Sequence, residues 1–329
     1  MVIGGKYELL ELAGQGGMAS VWRGVARGAA GFSRQVAVKM IRPEFKADAD
    51  YVAMFIEEAR VGAELMHPNI VQVFDFGVDE RQAHFLVMEW VDGLSLATYV
   101  HAYAQHKVPT PWIMVTAMVL DALRGLGAAH ARTHVGQPAP VIHRDLSPEN
   151  ILVGLNGIAK LTDFGLARAK DRVSRLTRPG TVKGKVGYLA PERTIGQPGS
   201  VRSDVFSMGV VLWEALAGRS LFKGETTQVL RQIMNGQIES LLDVRSDLPR
   251  PLVAAVHRAL QPEQQRRYPS AQHFADALTA VLRQVKQLSE VRIGGSVMEA
   301  RMRLAGLPPP AHAATTPALG LPKATRKPG

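Results

Sequence analysis

The sequence predicts an α+β protein, strand-rich at its start and mainly helical after it, and three observations carry that expectation. Five short apolar runs, at residues 7–12, 22–25, 35–41, 71–77 and 84–88, are separated by glycine-rich or polar turns and read as strands. Residues 111–131 and 203–218 are long apolar helical segments, the second apolar nearly all round and so buried. Between them, residues 141–165 (VIHRDLSPENILVGLNGIAKLTDFG) hold two apolar runs parted by Asn156 and Gly157, the pattern of a hairpin. That hairpin would return Asp163 beside Asn150 and Asp145. Three oxygen-bearing side chains in one cleft suit magnesium shared with a phosphate, because magnesium takes hard oxygen ligands and usually completes its shell with substrate phosphates.

Bulk properties bound the function. At 329 residues the chain can build one domain of two lobes or two domains. It has no cysteine, which excludes disulfides and thiolate metal sites and is compatible with a reducing, cytoplasmic setting. Its first residues, MVIGGKYELLEL, lack the basic and apolar regions of a signal peptide, and no uncharged apolar run reaches the ~20 residues of a membrane span. The net charge of +10 is confined to two segments. Residues 164–187 carry seven Lys or Arg against one Asp, residues 289–329 carry six against two, and the rest is balanced. A broad basic face for nucleic acid is therefore not expected.

In chain order, GQGGMASV from Gly14 to Val21 joins the first two strands. Glycines there are either a tight hairpin or a backbone that lets amides approach phosphate oxygens. Neither a dinucleotide fingerprint nor a P-loop fits, because both need a helix after the glycines. The third strand, QVAVKMI, places Ala37, Lys39 and Ile41 on one side, so Lys39 is either solvated or buried against a carboxylate. Residues 49–65 have helical spacing and carry Glu57, Glu58 and Glu64, of which Glu58 is the candidate partner. A short connection, residues 89–93, follows the fifth strand.

Taken together, GQGGMASV, VAVK, Glu58, HRDLSPEN, DFG and Ala190-Pro191-Glu192 stand in a fixed order that resembles the eukaryotic-type (Hanks-type) Ser/Thr protein kinases, most closely their bacterial branch. The resemblance covers about residues 7–288. It implies a two-lobed protein kinase fold: an N-lobe (7–88) of a five-stranded antiparallel sheet with one main helix, a hinge (89–92), a mainly helical C-lobe (93–288), and an ATP cleft between. Residues 289–329, rich in Pro and Ala, are expected to be disordered, with at most a short helix near residues 296–304.

The resemblance also implies roles. ATP is the phosphoryl donor, with Mg2+ or, in its place, Mn2+. Lys39, held by Glu58, contacts the α- and β-phosphates. Asn150 and Asp163 hold the metal, and Asp145 accepts or orients the substrate hydroxyl. Gly14 and Gly16 cover the phosphates, with Ala19 where a third glycine is usual. Val21 and Ala37 line the adenine, and the backbone from Glu89 to Val91 meets its edge. Asp204 holds the catalytic loop, and Arg267 pairs with Glu192, an arrangement sugar and aminoglycoside kinases usually lack. The substrates implied are proteins with Ser or Thr acceptors, since the Ala-Ala-Arg insertion of tyrosine kinases is missing.

Two departures stand out. The lysine that the family carries two residues after the catalytic Asp is Ser147 here, and the Thr of the segment before Ala-Pro-Glu is Lys185. An exchange of position is expected, Lys185 supplying the ammonium and Ser147 hydrogen-bonding nearby. The contrary reading of Ser147 is a nucleotide-binding pseudokinase scaffold. Arg144, before the catalytic Asp, implies activation by phosphorylation, with Thr181 the best-placed acceptor and Thr177 and Ser174 the alternatives.

Overall fold

The computed structural model describes residues 1–80, 82–164, 185–285 and 288–308. The expected phosphoacceptors Ser174, Thr177 and Thr181 lie outside the described residues.

The first lobe is an antiparallel sheet of β1 (Val2–Ile3), β2 (Tyr7–Gln15), β3 (Ala19–Arg27), β4 (Ser33–Ile41), β5 (Val73–Val78) and β6 (His84–Glu89), in the order β1-β2-β3-β4-β6-β5. The two-residue β1 adds an edge to the five strands expected. Helix α1 (Ala49–Glu64) covers one face. It starts at Asp48, whose carboxylate accepts from the Asp50 and Tyr51 amides at 3.0 and 3.3 Å. Strand alternation sends Val36, Val38 and Met40 into one cluster with Tyr7, Leu9, Phe85 and Val87. It sends Ile41 into another with Phe55, Ala59 and Leu86 under α1, so Lys39 is buried rather than solvated. Gly62 lets α1 approach closely, since a Cβ there would stand 2.7 Å from a Val73 methyl.

The second lobe starts at β7 (Gly93–Ser95), α2 (Leu96–Ala104), α3 (Trp112–His130) and a small ribbon, β8 (Thr133–His134) with β9 (Gln137–Pro138). The predicted hairpin is β10 (Ile151–Gly154) and β11 (Ala159–Leu161), with Gly157 at φ 83° in its turn. β10 also pairs with β7. The remaining helices are α4 (Pro191–Thr194), α5 (Val201–Ala217), α6 (Thr226–Met234), α7 (Leu241–Val244), α8 (Arg250–Ala259), α9 (Ala271–Leu282) and α10 (Glu290–Leu304). One large apolar cluster built on α3, α5, α8 and α9 forms the core. Helix α3 is long and apolar enough to cross a membrane by length and composition alone. It carries Asp121 and Arg124, however, and its apolar surface is covered by this core.

The expectation of a disordered segment from residue 289 is corrected over residues 290–304. Helix α10 buries Ile293, Val297 and Ala300, residues spaced four and three apart on one face. Its small residues allow close approach: a Cβ on Gly294 would lie 2.1 Å from the Leu155 carbonyl. Arg301 donates to the Asp92 carboxylate at 2.6 Å and the Gly93 carbonyl at 3.0 Å, tying the helix to the end of the connection between the lobes. The segment has too few apolar residues for an independent core, but a prepared surface makes Ile293, Val297 and Ala300 sufficient.

Candidate active site

The site lies where the sheet of the first lobe faces the β10–β11 hairpin. On β4, Lys39 Nζ reaches Glu58 Oε1 at 2.6 Å and Asp163 Oδ1 at 2.8 Å. Helical spacing selects Glu58 over Glu57 and Glu64, because Phe55, Glu58, Ala59 and Gly62 form the buried stripe of α1. Burial works against the Lys39 ammonium, yet the two carboxylates raise its pKa above the ordinary lysine value. Burial also works against the Asp163 carboxylate, which the Lys39 charge and hydrogen bond nevertheless hold below its usual range. Burial pushes Glu58 up to about 7 against the pull of Lys39, with the Asp163 charge adding to the rise.

The loop before the hairpin is held by its backbone. Asp204, at the start of α5, accepts from the His143 amide at 2.7 Å, the Arg144 amide at 3.0 Å and His130 Nε2 at 2.9 Å. Burial lowers the pKa of His143, and its Nε2 lies 3.0 Å from the Thr162 carbonyl. Asn150 donates through Nδ2 to the Asp145 carbonyl at 2.7 Å, which turns its amide oxygen away from that bond. Arg144 and Asp163 take φ values of 64° and 62°, a left-handed backbone that L residues seldom adopt and that the surrounding hydrogen bonds impose. The backbone around residues 69–71 clamps β11: Leu161 donates to Asn69 O at 2.9 Å and Val71 to Leu161 O at 2.8 Å. Asp163 is thereby fixed against Lys39.

Across the cleft, Lys185 Nζ stands 2.9 Å from Asp145 Oδ2. The expected hydrogen bond from Ser147 is not formed. Its side chain is buried, and Oγ has no partner among the described residues, because an extended backbone at φ −156° turns it into the fold.

Several site residues are brought together as expected, and others are added. Ala37, Val71 and Met88 form one apolar cluster flanked by Val21, Val91, Trp90 and Leu152. Val71, Met88 and Leu152 were missed by sequence reasoning. A signal existed for Leu152: β10 alternates, and Ile151 and Val153 point into the helical core, leaving Leu152 to face the cleft. Glu89 ends β6 at the start of the connection between the lobes. Its carboxylate pairs with Lys160 at 2.8 Å and its amide donates to Gln72 O at 2.8 Å, so only its carbonyl can serve a base. At Gly14 and Gly17 a Cβ would meet no protein atom, and neither these nor Gly16 has positive φ. The fold itself does not require glycine at Gly14 or Gly17, which fits a loop that must let a phosphate approach its backbone.

Glu192, on α4, and Arg267 form a buried fork–fork pair at 2.9 and 2.8 Å, with Ser203 Oγ donating to Glu192 at 2.7 Å. A pocket of about 550 Å³ beside Lys185 is lined by Glu149, Tyr188, Glu214, Phe222 and Lys223.

A two-lobed molecule with this ammonium between two carboxylates, and this loop opposite, is a protein kinase domain. The chain belongs to the protein kinase family, whose domain it matches over residues 7–282. It is 39% identical over 282 residues to the tyrosine-protein kinase MasK of Myxococcus xanthus, covering 84% of this chain and 43% of that protein. It is 35% identical over 285 residues to the serine/threonine-protein kinase PknA of Mycobacterium tuberculosis, covering 85% of this chain and 62% of that protein. The chain thus spans less than two thirds of the length of these relatives. The crystal structure of the PknI kinase domain of Mycobacterium tuberculosis superposes with a TM-score of 0.62 at 25% identity, covering 85% of this chain and 97% of that one.

Proposed function

We propose that this domain transfers the γ-phosphate of ATP to Ser or Thr hydroxyls of proteins, as the names of several bacterial relatives suggest. The observation that carries the reading is the triad of Lys39, Glu58 and Asp163 facing Asp145 and Asn150. Asp163 and the Asn150 amide oxygen suit Mg2+: two hard oxygen donors are too few to hold the ion alone, so nucleotide phosphates would complete the shell. When bound, the metal neutralises phosphate charge. Lys39 would hold the α- and β-phosphates. Gly14 and Gly16 would leave their amides open to the phosphates, and Val21, Ala37, Met88 and Leu152 would enclose the base. Asp145 takes the proton of the acceptor hydroxyl as its oxygen bonds to the γ-phosphorus, while the bond to the bridging oxygen breaks and ADP leaves with the electron pair.

The pocket beside Lys185 would receive the acceptor segment. A pseudokinase scaffold is disfavoured, because a scaffold need not keep Lys39, Glu58, Asp145, Asn150 and Asp163 together. The absence of cysteine and the need for ATP support a cytoplasmic site of action. Autophosphorylation at Thr181, Thr177 or Ser174 is proposed on the basic charge of that segment.

Incubating wild type and Asp163→Ala with magnesium-ATP, followed by mass spectrometry, tests the reading. Phosphate on Ser or Thr of wild type alone is expected. Phosphotyrosine alone would shift the specificity toward that in the name of the Myxococcus relative, and no phosphate on either protein or an added substrate would overturn the assignment.

A further inference from the structure

The catalytic loop has no lysine after Asp145, and its one arginine, Arg144, precedes Asp145 on a backbone turned to φ 64°. Phosphoryl transfer passes through a state with negative charge spread over three equatorial oxygens, and an ionised Asp145 beside them repels that charge. Position 147, two residues beyond Asp145, holds a serine whose buried hydroxyl has no partner among the described residues. Lys39 is engaged on the far side of the cleft by Glu58 and Asp163. Lys223 lines the acceptor pocket but makes no ion pair with either aspartate among the described residues. Lys185 is different: its ammonium is 2.9 Å from Asp145, its side chain is 39% exposed to the cleft, and its charge also reaches Asp163.

We propose that Lys185 supplies the ammonium that shields Asp145 from the γ-phosphate and neutralises the transferred group, so that the catalytic cation is delivered by the activation segment instead of the catalytic loop. Lys185 begins a 3-10 turn that runs to Tyr188. The turn is anchored one to three residues further on. Val186 is buried, Ser207 Oγ donates to the Tyr188 carbonyl at 2.6 Å, and the Tyr188 hydroxyl donates to Glu214 at 2.6 Å. The ammonium is therefore in place only when this turn is docked on α5. A rearrangement of the segment removes both the acceptor pocket and a charge from the chemical step, which ties regulation to the rate of transfer itself.

The proposal rests on the kinase reading and is tested separately from it. If wild type neither binds magnesium-ATP nor transfers phosphate, the kinase reading fails. If wild type transfers, Lys185→Met is expected to lower kcat by about 10²–10³-fold, the usual loss on deleting one charge-stabilising donor. Its thermal midpoint should hold. Affinity for ATP should fall while affinity for ADP, which lacks the γ-phosphate, is unchanged in calorimetric titrations. Lys185→Arg should keep part of the rate. A rate unchanged in Lys185→Met overturns the proposal. So does a higher rate, which would make the ion pair with Asp145 an inhibitory contact, or an equal loss of ATP and ADP affinity, which would make its role structural.

Discussion

Lys39 has one positive charge to divide between two carboxylates, and this imbalance makes the pair sensitive to pH. Glu58 is the member pushed up, to about 7. A carboxyl with a higher pKa folded than unfolded stabilises the fold below its ordinary value near 4.5, and that contribution is lost as pH rises through about 7. Glu58→Gln keeps a neutral side chain throughout. Between pH 5 and 8 the thermal midpoint of wild type should therefore fall relative to that of the variant, and a constant difference would show that Glu58 does not titrate there. The same substitution takes a negative partner from the Lys39 ammonium while leaving an amide oxygen to accept from it, so steady-state assays at pH 8 should find kcat/KM for ATP lower by about 10-fold, the effect of roughly 1.4 kcal/mol.

At the scale of elements, α10 is a working part of the fold. It packs on α2, β7 and β10, the strand that follows Asn150, and its Arg301 grips Asp92. Burying Ile293 and Val297 stabilises it by about 3–5 kcal/mol together. Ending the chain after residue 288 should lower the thermal midpoint by roughly 6–20 °C relative to a chain that ends after residue 308. Gly294→Ala should act like the shorter truncation, since its Cβ would fall 2.1 Å from the Leu155 carbonyl. A midpoint equal to wild type in both would mean α10 is not docked in solution. The hairpin that carries the site was legible in the sequence, because Asn-Gly between apolar runs is a local signal. The docking of α10 was not, because its partner surface lies about 140–200 residues earlier in the chain.

For the whole molecule, the division of apolar residues sets where it opens. The helical lobe has one continuous core, whereas the sheet lobe holds three smaller clusters. Local opening costs least where few apolar contacts are broken. Hydrogen-exchange mass spectrometry should find α3 and α5 protected longest and β1–β3 exchanging earlier, with magnesium-ATP slowing the latter. Uniform protection across both lobes would contradict this. The buried Glu192–Arg267 pair joins α4 to the chain after α8 within the stronger lobe, so it stays closed through these openings.

What the sequence by itself determined is the order and identity of the chemical groups: a lysine on a strand, a glutamate on a helix stripe, and two aspartates with an asparagine around a hairpin. Those signals are local, being periodicity, turn residues and spacing. Tertiary structure alone decided which faces were covered. It buried Lys39 under α1, put Leu152 opposite Val21, engaged Glu89 with Lys160, left the Ser147 hydroxyl without a partner among the described residues, and folded α10 onto the lobe. Each depends on a neighbour remote in sequence, and burial and pairing are properties of both surfaces.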